Sequence, residues 1–174
     1  MRRLLLSASL ALLFAPVPAL AQAETGAEEV VASSSGDTFN ISAVNELLAQ
    51  GDAEAASGDL TAAIASYDKA RNAARSLLSF YRDLSGAFRG LDARIPREMD
   101  SKGRQSLALL AEANLRLAAL FRRQNQPEVA VPVLVEVVKL MTPSKAQGQE
   151  AYQSLLELGF VDTEFKGASP SGTN

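Results

Sequence analysis

The 174-residue sequence predicts an all-α fold of about five helices. Apolar residues recur at steps of three and four from Ser42 to about Phe160, the period of a helix and not the alternation of a strand. Hydrophobic residues make up 47% of the chain but aromatics only 6%, a mix expected of helices packed closely on Ala and Leu. Turn signals between the periodic runs are few.

Residues 1–23 read as a secretory signal peptide. Arg2 and Arg3 precede the uncharged, mainly apolar run Leu4 to Phe14, then Pro16, Pro18 and the small-residue pattern Ala21-Gln22-Ala23, with Ala19-Leu20-Ala21 as an alternative cleavage site. Such a run spans only about half the hydrocarbon thickness as a helix, which favours cleavage over anchoring. The arginines lack a preceding polar residue, so general secretion fits better than the twin-arginine route, and the absence of Cys at the cleavage point excludes a lipoprotein. The expected compartment is the periplasm, or the thylakoid lumen if the source is photosynthetic. No other window approaches eighteen apolar residues, so no stable membrane span is expected after cleavage.

Residues 24–41, centred on Ser33-Ser34-Ser35-Gly36, read as a flexible linker. The helical domain is expected over 42–160. Ser42 is placed to cap the first helix, which carries Val44, Leu47, Leu48, Ala55 and Ala56 on one face and ends at Ser57-Gly58-Asp59. From Leu60 the period runs through Tyr67, Leu77, Tyr81, Leu84, Phe88 and Leu91 to Ile95, predicting one helix of about 35 residues, with Ser76 and Ser85-Gly86 as the places where it could break. Pro96 then stands near the start of a third helix with Met99, Gly103, Leu107, Leu110, Asn114, Leu117 and Phe121 in its stripe, ending at Gln124-Asn125-Gln126-Pro127.

Glu128 to Met141 is apolar almost all round and rich in valine. Its surroundings offer a lone strand no partner, so it is predicted as a central helix covered on both sides, kinked by Pro132 unless that residue falls in the first turn. A fifth helix, Lys145 to Leu158, is expected to start on a capping box of Ser144 and Gln147 and to stop at Gly159-Phe160. Residues 161–174 read as a flexible tail.

Two of these hairpins carry a repeat pattern. Leu47, Gly51, Gly58, Leu60, Ala63, Tyr67 and Ala70 form one copy, and Leu117, Ala118, Phe121, Ala130, Leu134, Val137 and Pro143 a second, 67 residues on. The pattern resembles the tetratricopeptide repeat (TPR), closely at Gly58-Asp59-Leu60-Thr61-Ala62-Ala63-Ile64. Gln50, at a usually apolar position, Pro132 and the poorly matching residues 78–110 depart from it. The resemblance implies two TPR-like antiparallel hairpins with long central helices and a C-terminal capping helix. The secreted arrangement and the ending Tyr152 to Phe160 also resemble uncharacterised TPR-like proteins of cyanobacteria, which bears only on compartment.

By the TPR resemblance, the first helix of each hairpin lines a groove for a partner's segment. Its positions here are Asn45, Leu48, Asp52, Ala55 and Ala56, then Glu112, Leu115, Arg116, Ala119, Arg122 and Arg123. The asparagines with which chaperone-binding members clamp a carboxylate are replaced by Asp52 and Ala119, which argues against that role. A separate candidate is the stripe Arg75, Arg82 and Arg89, seven apart and beside Gly86 and Gly90, where arginine could pair with a partner's carboxylates or phosphates or simply form a solvated face. Asn114, in an apolar seam, is expected to fix helix register through a hydrogen bond across the core.

Chemistry is limited by what is missing. The chain has no His, Cys or Trp, which removes thiolate and imidazole catalysis, disulfides and the usual transition-metal ligands. No catalytic residue, metal site or cofactor is assigned. The net charge of −3 becomes −5 when the two arginines of residues 1–23 are removed, so nucleic acid is not an expected partner. Residues 24–68 hold nine acidic and no basic side chains, and residues 69–104 nine basic against four acidic. The sequence therefore favours an exported scaffold or assembly factor without catalysis, acting on a protein whose identity it does not give; the oligomeric state is likewise open. A helical carrier of an apolar molecule or lipid is the main alternative, and a cell-wall hydrolase using a lone Glu46 or Glu112 a lesser one.

Overall fold

Five helices and no strand make up residues 39–167, the part of the chain that the computed structural model describes. They are α1 (Ile41–Ser57), α2 (Leu60–Ala87), α3 (Arg94–Arg123), α4 (Pro127–Met141) and α5 (Ala146–Glu157). The all-α expectation holds, including helix over strand for the valine-rich α4. The expected signal peptide and residues 24–38 of the linker lie outside the described residues, as do residues 168–174.

Local chemistry sets the helix ends. Asn40, not Ser42, caps α1: its backbone is extended and its Oδ1 accepts the Ala43 amide at 2.8 Å, while Ser42 falls inside the first turn and donates to Glu46 at 3.3 Å. Gly58 closes α1 in the left-handed region, φ +90°, and Asp59 caps α2 by accepting the Ala62 amide at 2.9 Å.

The expected 35-residue helix is two helices. α2 stops at Ala87, beside the second of the two anticipated breaks, because Gly86 and Gly90 weaken it and Asp92 starts the next helix. The Asp92 carboxylate accepts the Arg94 amide at 2.8 Å and pairs with its guanidinium, also at 2.8 Å; these bonds hold its pKa below the usual value. Leu91, predicted on the apolar stripe, is consequently 79% exposed in the turn.

α4 starts on Pro127, where a missing amide is harmless. Pro132 lies in its second turn and leaves the Glu128 carbonyl without its helical donor. The helix is not covered all round, since Val129 and Val135 are exposed. The Ser144–Gln147 capping box does not form: the Ser144 hydroxyl bonds Thr142 at 2.7 Å, and Gln147 Nε2 crosses to donate to the Ala108 carbonyl of α3 at 3.0 Å. At the other end of α5, Gly159 (φ +73°) and Phe160 donate to the carbonyls of Leu156 and Leu155, the expected stop.

Each helix packs on the next, and α3 also touches α1 and α5. Small residues allow the close crossings. A Cβ at Gly51 would collide with the Tyr67 ring, and one at Gly148 with the Thr142 carbonyl. Leu77, Leu110, Leu117 and Leu134 fill the core.

α2 and α3, of 28 and 30 residues, outrun their neighbours of 17, 15 and 12. The Phe39 ring against Phe80, 5.9 Å between centroids, marks where α1 begins beside α2. Gln147 at the Ala108 carbonyl marks the α4–α5 turn. Beyond these points α2 and α3 continue as a two-helix finger. None of the described helices is long and apolar enough to cross a membrane.

Candidate functional site

The face formed by α1, α3 and α5 brings together residues from both sequence hairpins. Asp52 of α1 sits between two partners. The Tyr67 hydroxyl of α2 donates to its Oδ1 at 2.6 Å, and Arg116 Nε of α3 lies 2.9 Å from the same oxygen. Arg116 Nη1 is 2.8 Å from Glu112 Oε1, but at an angle outside hydrogen-bond geometry, so that contact is Coulombic. Burial of the Tyr67 phenol, then its bond to the Asp52 carboxylate, raises its pKa well above the ordinary tyrosine value.

Beside this cluster, an open recess of about 410 Å³ runs between α3 and α5, lined by Glu112, Leu115, Arg116, Ala119, Gln147 and Glu150. Four of these are predicted groove positions; Gln147 and Glu150 were missed because α5 reads in the sequence as a cap. Their signal was a polar pair three residues apart on a helix whose buried residues are Gly148, Ala151 and Leu155.

The other predicted positions divide. Leu48 is a correction: only 4% exposed, it belongs to the core and lines no groove. It lies one helical turn from Val44, and both belong to the hydrophobic core. Asn45 is exposed but donates to its own helix at the Ile41 carbonyl, 3.0 Å away. Ala55 is half-buried against the core and Ala56 exposed. Arg122 ties α3 to α5, donating to Ser154 at 3.2 Å and to Glu157 at 2.8 Å, while Arg123 is exposed.

The predicted arginine stripe is broken, because α2 ends at Ala87 and leaves Arg89 in the turn before α3. Arg75 is bound to Glu136 of α4 at 2.7 Å. Arg82 and Arg89 are exposed, and their side chains have no ion pair or hydrogen bond among the described residues. Nothing packs against Gly86 or Gly90; Gly90 is required by its φ of +87°.

Asn114 is fully buried, as its seam position predicts, but neither its amide nitrogen nor its oxygen meets a protein hydrogen-bond partner. The expected bond across the core is absent.

Glu46 is exposed on α1 and accepts from Ser42, and Glu112 is held by Arg116. Among the described residues, no group of three acidic side chains is gathered to hold a metal ion. Comparison with protein-family models, curated proteins and solved structures finds no match.

Proposed function

We propose that this chain is an exported, TPR-like interaction module, a scaffold or assembly factor without catalysis, and that a partner's segment lies in the recess along α3 and α5. The observation that carries this reading is the meeting of the two hairpins' predicted positions on one face. Asp52 and Arg116, 64 positions apart in the chain, form one ion pair beside the recess that Glu112, Leu115 and Ala119 line. Fixed charges around an open, partly apolar trough suit a peptide segment better than a small molecule. The recess between the long helices α2 and α3 holds about 200 Å³, below the roughly 300 Å³ at which small-ligand sites begin, which weighs against the carrier. Export by residues 1–23 remains part of the proposal.

The test is a pull-down from membrane and soluble fractions of the source cell with wild type, Ala119→Arg and Arg116→Glu. Ala119 is exposed, so its replacement fills the recess without disturbing the core. Partners retained by wild type should be lost with Ala119→Arg and reduced with Arg116→Glu. An unchanged partner set in both variants refutes the recess as the binding site.

A further inference from the structure

Along the α2–α3 pair lies a second surface, distinct from the α3–α5 recess. α4 packs on α3 and reaches across to α2 through Glu136, which binds Arg75 at 2.7 Å. α4 ends at Met141, while α2 and α3 run on. Past its end an open groove of about 200 Å³ is lined by Leu78, Met99, Gly103 and Leu107, with Arg82, Arg104 and Asp100 at its sides. Gly103 keeps part of the floor low, since a Cβ there would meet Tyr81 and Leu78 only at 3.8 to 4.0 Å.

Arg82 is seven residues beyond Arg75, two helical turns further along the same face of α2. Arg75 has its acid on α4; Arg82 faces the continuation of that helix's path, where the described residues supply none. The Arg104 side chain on the α3 wall is likewise exposed and without an ion pair or hydrogen bond among the described residues. Asp100 already accepts from the buried Ser85 hydroxyl at 2.7 Å. The groove thus combines an apolar floor with an uncompensated arginine on each wall.

We infer that this groove takes an acidic amphipathic helix of a partner protein, lying end to end with α4. Its apolar side chains would cover Leu107 and the small exposed parts of the largely buried Leu78 and Met99, and its carboxylates would meet Arg82 and Arg104 as Glu136 meets Arg75. Arginine suits the role because its planar fork pairs with a carboxylate directly.

The probe is a synthetic helical peptide of about 20 residues with a Leu and Ala stripe flanked by Glu, and a second peptide with Lys for every Glu. Binding to the full mature chain is read by NMR at the Gly103 amide and the Met99 methyl, which reports affinities as weak as about 1 mM. The Glu peptide should shift both signals. Arg82→Glu with Arg104→Glu should weaken it about tenfold or more and admit the Lys peptide instead. Both arginines are exposed, and a circular dichroism melt checks that the fold is intact. Ala119→Arg should leave this binding unchanged, which separates the groove from the α3–α5 recess. The inference is overturned if neither signal moves, if the double variant binds the Glu peptide equally well, or if vesicles of anionic phospholipid move the same signals while the Glu peptide does not.

Discussion

The five-helix bundle and the two-helix finger are built from the same two helices, yet they solve different problems. In the bundle, α2 and α3 are flanked by α1, α4 and α5, and their facing residues are Ala70, Ala74, Leu77, Leu110, Ala113 and Leu117, all nearly or fully buried. In the finger, among the described residues, each helix packs on the other alone. Tyr81, Met99 and Ser85 are still buried, but Leu91 projects into solvent and Arg82, Arg89, Arg97 and Arg104 have no partner among the described residues. Flanked helices spend their surfaces on packing. Unflanked ones keep surface that is available for something else.

The widest separation between the two regions should appear in leucine truncation. Leu117 of α3 has no exposed surface, so Leu117→Ala should cost about 2–5 kcal/mol through lost burial and the cavity left behind. Leu91→Ala, at the tip, should change stability by no more than about 0.5 kcal/mol. Urea unfolding of the two variants measures both. Comparable losses would mean that the finger is as fully packed as the bundle, and the contrast would collapse.

The bundle also contains a place where its packing is imperfect. Asn114 is surrounded by core and its side-chain amide is left without a protein partner, a burden of about 1–3 kcal/mol for a buried polar group. Asn114→Leu has nearly the same volume and removes that burden, so it should raise stability by about 1 kcal/mol. The same urea measurement decides. A loss of stability would show that the amide is satisfied in solution and that Asn114 fixes register after all.

How much of this was legible in the sequence follows from the range of each interaction. The helices and the Gly58 and Gly159 stops are short-range or pattern-borne, and they were readable. The end of α2 was blurred because the apolar period runs across the turn: Phe88, Leu91 and Ile95 continue the stripe, although Asp92 captures the Arg94 amide and starts a new helix. Leu48 was misplaced for a related reason. A repeat pattern assigns positions relative to a partner helix, and a rotation of α1 by a fraction of a turn moves a groove residue into the core. The pairings Asp52–Arg116, Arg75–Glu136 and Arg122–Glu157 span distant segments, so single positions could be suspected but not joined. Gln147 and Glu150 entered the recess only once α5 was seen beside α3.

The Asp52 cluster gives the smallest and most specific test, because its contribution depends on pH in a direction fixed by the chemistry. Folding buries the Tyr67 phenol and bonds it to a carboxylate, and both effects favour the protonated form. In the unfolded chain the phenol titrates near pH 10. Above that pH the unfolded state has lost a proton that the folded state still holds, so stability falls as pH rises. Below it, the full contribution is present. Tyr67→Phe keeps the ring that fills the space against Gly51 and removes only the hydroxyl. Because Asp52 is about half exposed, the bond should be worth about 1 kcal/mol at pH 7. Between about pH 9 and pH 11 the gap between wild type and variant should close, since the variant has no phenol here to ionise. A gap that stays constant across that range would place the Tyr67 hydroxyl in water and break its link to Asp52, the residue that joins the first hairpin to Arg116 beside the recess.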